Sequence, residues 1–141
     1  MLDALQNFGQ SGAVVLLSLA TGAGWVAAII APNCFYDGLD AAPADRQVRN
    51  LLKAVSGPTA FLLLVAGALA FLGGAIGAGI CAFVAAFGFF SNSWTLRGFK
   101  RGEAPPGAKR RRKSQRVVAV AFTLLFTLVA AIGAGLAVFG V

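Results

Sequence analysis

The stretch AVSGPTAFLLLVAGALAFLGGAIGAGICAFVAAFGFFSNSWTL, residues 54–96, holds no Asp, Glu, Lys or Arg. A hydrocarbon core ~30 Å thick is crossed by about 20 apolar residues in a helix. The stretch is too long for one crossing and fits a tight hairpin of two. The glycines of GGAIGAG, residues 73–79, mark where the chain turns between antiparallel helices. SGPT, residues 56–59, reads as the start of the earlier helix, because Ser56 can cap free N–H groups and Pro58 suits a first turn. Spans are therefore expected at about 58–74 and 78–96.

Two more uncharged windows flank this one, between Asp3 and Asp37 and after Arg116. Each has room for a single span. The first is expected over about 12–33, ending at Pro32-Asn33 because the residue before proline avoids helical geometry. The last is expected over about 117–139. Composition agrees: 58% of the 141 residues are hydrophobic and 12% charged, against about 25% charged in a soluble globule. Mean hydropathy is +0.80. The polar–apolar alternation of a membrane barrel is absent. The expected fold is an all-α membrane protein, a single four-transmembrane-helix bundle over residues 1–141.

All 12 basic residues lie in the first and third connections. Arg46, Arg49 and Lys53 are in one; Arg97, Lys100, Arg101, Lys109, Arg110, Arg111, Arg112, Lys113 and Arg116 are in the other, the basic loop 97–116. Cations near span ends are retained on the cytoplasmic side. Both termini are then expected outside, in a periplasm or lumen, and both long loops in the cytoplasm, with a bacterial inner membrane the best match. MLDALQNFGQSG lacks the basic start of a cleavable signal peptide, so the first span is expected to stay.

The cations have a second expected use. Near an anionic leaflet each gains ~1 kcal/mol, so Lys109, Arg110, Arg111, Arg112, Lys113 and Arg116, with Arg46, Arg49 and Lys53, are candidates for contact with lipid headgroups or an acidic partner. No aromatic residue within KRRRK can stack a base, which argues against nucleic acid. Residues 44–56 carry Val48, Leu51, Leu52 and Val55 at helical spacing, with Arg46, Arg49 and Lys53 roughly opposite. That pattern predicts a short amphipathic helix in the membrane interface; the competing reading is an extension of the second span packed on the bundle. Asp37 or Asp40 could pair with the basic third loop.

Inside the spans the chemistry is sparse. Small residues recur every fourth position, at Ala20-Gly24-Ala28, Ala66-Ala70-Gly74, Ala78-Ala82-Ala86 and Ala130-Ala134, and allow close helix contact. Phe83, Phe87, Phe90, Phe122 and Phe126 would fill gaps or face lipid. No ionisable group lies within a span and there is no His, which removes the usual means of ion coupling, haem ligation and base catalysis. Two cysteines far apart make neither a disulfide nor a metal site. Cofactors and catalysis are not expected. The remaining polar groups gather at one level, with Asn33 and Asn92 as the best candidates for a polar mouth.

GAGWVAAIIAPNCFYDGL, residues 22–39, and SNSW, residues 91–94, resemble the Gly-Trp and Ala-Pro-x-x-Phe run and the Asn-centred stretch of the small bacterial relatives of transmembrane protein 205. The resemblance implies a four-helix membrane protein and names no activity. The expected function is that of a non-catalytic membrane protein, an accessory or assembly subunit of a larger complex held by other membrane subunits and by lipid. The alternative is a small oligomeric channel or transporter for an uncharged or lipid-like solute.

Overall fold

A computed structural model describes the backbone of residues 1–96 and 108–141, and their side chains apart from those of residues 108–113 and 115. The described chain is helical throughout. Helix α1 spans Leu2–Trp25, a π-helical turn Val26–Ile30 follows, and α2 spans Ala31–Gly38. Then come α3, Ala41–Leu72, α4, Ile76–Thr95, and α5, Ala108–Phe139. Four stretches are long and apolar enough to cross a membrane: Leu2–Gly38, Ala41–Leu72, Ile76–Thr95 and Arg116–Phe139. The chain thus has the make-up of a multi-pass membrane protein. Helices α1 and α4 each pack against α3 and α5, which closes a four-helix bundle.

Two prolines do not act as the spacing predicts. Pro32 does not end the first helix. A proline ring collides with the carbonyl four residues back and offers no N–H, and here the wider π turn precedes it. Ala31 N–H reaches back to the Val26 carbonyl, and Pro32 follows as the second residue of α2. The helical stretch therefore runs on to Gly38. Pro58 likewise lies deep inside α3, on an exposed face, and Ser56 is an interior residue whose hydroxyl donates back to the Leu52 carbonyl. Neither starts a helix.

Residues 44–56 are consequently not a helix separate from the second span. They are the first turns of α3, and Val48 and Leu52 are each 1% exposed. Those two pack with Ala27, Leu96 and Ala119, and Phe35, Leu51, Val55 and Val120 lie against them. At ~1.5 Å per residue the 32 residues of α3 run about 48 Å, well beyond a ~30 Å hydrocarbon core. The excess is a helical annex at the charged end, made by α2 and the starts of α3 and α5.

The small faces are where the helices meet. Ala20, Gly24, Ala28, Ala66, Ala70, Ala78, Ala82, Ala86 and Ala130 are all buried. Leu17, Leu63 and Phe89 fill the spaces between them. Phe83, Phe87, Phe90 and Phe122 face outward, where lipid would lie. At the glycine-turn end, Gly74 adopts φ +79°, the left-handed geometry that joins α3 to α4. There Gln10 Nε2 donates to the Ala137 carbonyl at 2.8 Å, and Ala78 N–H to the Val141 carbonyl at 3.1 Å.

Candidate functional site

Polar chemistry concentrates at the charged end and in one layer just below it. In the annex, Tyr36 of α2, Asp45 of α3 and Arg116 of α5 converge. The Arg116 guanidinium pairs with the Asp45 carboxylate and donates to the Tyr36 hydroxyl, which in turn donates to Asp45. The guanidinium carbon also lies 5.4 Å from the centre of the Tyr36 ring. One arginine thus clips three helices. The acid that meets Arg116 is Asp45; Asp37 and Asp40 are exposed, and the side chains of the other cations of the basic loop lie outside the described residues. The choice follows from geometry: Asp40 precedes α3, whereas Asp45 sits one turn inside it, facing α5.

Of the other candidate cations, Arg46 and Lys53 are exposed and Arg49 is half-buried on α3. Lys109, Arg110, Arg111, Arg112 and Lys113 belong to the first turns of α5, and their side chains lie outside the described residues, as do Arg97, Lys100 and Arg101. The run therefore begins a helix that continues without a break into the last span.

The layer below is set by antiparallel register. Gly67 faces Phe83 and Gly79 faces Phe71 across α3 and α4. Continuing that pairing brings Thr59 level with Ser91 and Asn92. On α5, Thr123 meets Asn92 directly: Asn92 Nδ2 donates to Thr123 Oγ1 at 2.9 Å and to the Ala119 carbonyl at 3.3 Å. Gly24 of α1 meets Thr127, one turn further along. Three helices so contribute a buried polar side chain to the layer (Thr59, Asn92 and Thr123), and the fourth contributes the π turn.

Most of the hydroxyls here are committed to their own helices. Thr123 donates to Ala119, Thr127 to Thr123, Ser56 to Leu52 and Ser93 to Phe90. Such bonds satisfy the hydroxyl hydrogen and leave only lone pairs facing the layer. The Asn92–Thr123 bond crosses between helices and contributes roughly 0.6–2 kcal/mol in a membrane bundle. Asn92 Oδ1, by contrast, is buried and has no partner among the described residues.

Asn33 and Asn92 are not brought together. Asn92 is 3% exposed, while Asn33 points outward from α2. Cys34 is exposed and Cys81 half-buried, and both are free thiols. Among the described residues no cluster of His, Cys, Asp or Glu could hold a metal ion. The Tyr36–Asp45–Arg116 clip is the group that spacing arguments miss. Its one trace in the sequence is that the sole Tyr lies just before α3 and that Asp45 is the single acid within α3. No established protein family, curated protein or solved structure matches the chain.

Proposed function

We propose that the protein is a non-catalytic membrane subunit that acts by association, through its charged end and its outward helix faces. One observation carries this reading: along the bundle axis, side chains from all four helices meet at almost zero exposure. Such packing supports a solid bundle with no passage through a single copy, and it directs recognition to the outside. The clip of Tyr36, Asp45 and Arg116 organises the annex as a rigid platform for the nearby cations. Arg46 and Lys53, with the run from Lys109 to Lys113, then meet anionic headgroups or an acidic partner subunit. By the distribution of cations this end faces the cytoplasm of a bacterial cell and both termini face outward. The likeness to the transmembrane protein 205 relatives belongs to the same reading and adds no activity to it.

A second reading rests on α1. Its outward face carries Ser11, Ser18 and Gly22, with Asn33 beyond them on α2, all exposed. The outward faces of α3 beyond Lys53 and of α5 beyond Arg116 are apolar. A seam of small polar groups between copies would suit a small oligomeric channel for an uncharged solute.

Native mass spectrometry after gentle extraction separates the two. A stoichiometric complex with a different membrane protein supports the subunit reading. A symmetric homo-oligomer that falls to monomers on Gly22→Leu substitution supports the channel, and a monomer holding only lipid contradicts both.

A further inference from the structure

Helix α2 is held lightly to the rest of the molecule. None of its 8 residues is buried, and a helix that short is not stable alone. Phe35 reaches the cluster around Val48 and Leu52 and is half-buried there. Tyr36 makes the other tie, through the Asp45 carboxylate and the Arg116 guanidinium. Both ends of α2 are places where a helix can bend. On one side lie the π turn Val26–Ile30 and Pro32, which brings no N–H to the helix. On the other the chain leaves the helix at Leu39, which is extended.

Arg116 is where this arm meets the membrane. It is the last cation of the chain and the first residue of the last apolar span, with exposed Val117 and Val118 next along the helix. Headgroup phosphates lie at that depth. Its Nη1 serves Asp45 and Tyr36 together. A phosphate on the same guanidinium would set a second anion beside the Asp45 carboxylate, and like charges that close repel. Arginine commonly grips a phosphate with two parallel bonds. Headgroup and carboxylate therefore compete for it.

We propose that α2 is a strap released by anionic lipid. It stays docked while Asp45 and Tyr36 hold Arg116, and it swings on the π turn when a headgroup phosphate takes Arg116 from them. This rests on the reading that the charged end meets anionic headgroups. Val48, Leu52 and Ala119 hold α3 to α5 in either state, so the platform of cations keeps its shape. Release withdraws Phe35 from that cluster, so lipid composition sets how much apolar surface the charged end shows.

Backbone hydrogen exchange on the full chain in vesicles tests the strap. One set is phosphatidylcholine alone, the other an equal mixture of phosphatidylcholine and phosphatidylglycerol. The anionic vesicles should speed exchange over residues 33–38 by about 2- to 5-fold, the range a partly exposed ion pair controls, and leave residues 63–70 unchanged. Arg116→Gln should exchange fast in both. Asp45→Asn should be fast in phosphatidylcholine, whereas Asp37→Asn, the same change of charge on an exposed acid outside the clip, should match the unaltered protein. Equal or slower exchange of residues 33–38 in the anionic vesicles would overturn the strap, as would a lipid response that survives Arg116→Gln. Inorganic phosphate added to the neutral vesicles should have little effect; a response as large as the lipid's would make free phosphate the ligand and overturn release by lipid. Native mass spectrometry separates this from the reading beneath it. Protein that retains phosphatidylglycerol while α2 stays closed loses only the strap, and protein that retains none loses both.

Discussion

Gly22 and Gly24 lie two residues apart on α1 and meet opposite surroundings. Open space surrounds Gly22, whereas a methyl group at Gly24 would overlap Thr127. Gly24→Ala should therefore destabilise the bundle by roughly 1–3 kcal/mol through overpacking, and Gly22→Ala should be neutral or slightly stabilising. Thermal melts in detergent check both, and Thr127→Ala in the Gly24→Ala background should recover much of the loss. Thr123→Val, which removes the acceptor for the Asn92 amide, should cost about 0.6–2 kcal/mol in the same assay. At this scale the sequence was partly legible. Four-residue spacing picked out Ala20, Gly24, Ala28, Ala66, Ala70, Ala78, Ala82, Ala86 and Ala130, all buried, but also Gly74, which is exposed in the turn, and Ala134, which is half-buried. Asn33 lies at the depth of the polar level but on the wrong face. Nine residues beyond Gly24 is about two and a half turns, which puts Asn33 on the opposite side of the helix from the packed face.

Elements were harder to delimit than residues. SGPT has every local mark of a helix start, yet α3 begins at Ala41. Local signals report what a free helix end would prefer. Here the annex cluster around Val48 and Leu52 outweighs them, and a proline on an outward face inside a span is tolerated when neighbours satisfy the backbone. Leu52→Ala should accordingly cost about 2–5 kcal/mol, the loss of a buried core side chain, while Lys53→Gln should leave stability unchanged. Chemical denaturation in mild detergent reads both. If residues 44–56 only rested on the membrane surface, the two substitutions would instead weaken vesicle binding and spare the fold. The Asp45–Arg116 pair is partly exposed, with side chains 38% and 19% accessible. A double-mutant cycle with Asp45→Asn and Arg116→Gln should give a coupling of only ~0–1 kcal/mol that shrinks with salt. The pair thus joins α2, α3 and α5 at one point while contributing little to the stability of the bundle.

For the molecule as a whole, the uncharged windows and the glycine turn were enough to number the membrane helices, because hydrocarbon thickness imposes a fixed length on each crossing. For α3 the extension into an annex was one of two readings of residues 44–56; for α2 and α5 it was not legible, since turns beyond a span look like loop until tertiary contacts show their buried side. Neutralising Lys109, Arg110, Arg111, Arg112 and Lys113 to Gln should lower affinity for anionic vesicles and loosen the orientation of the chain. Liposome flotation and protease protection would read the two effects. Which end of the bundle faces the cytoplasm matters most, since the proposed contacts of the cations with headgroups or an acidic partner lie at the charged end. The direct measurement uses a form lacking both native cysteines, with one cysteine introduced by either Gln6→Cys or Ser114→Cys, positions exposed at opposite ends. A membrane-impermeant maleimide is applied to intact spheroplasts of a bacterial host. The account predicts that Gln6→Cys is labelled at once and Ser114→Cys only after lysis. Labelling of Ser114→Cys from outside would invert the molecule and contradict it.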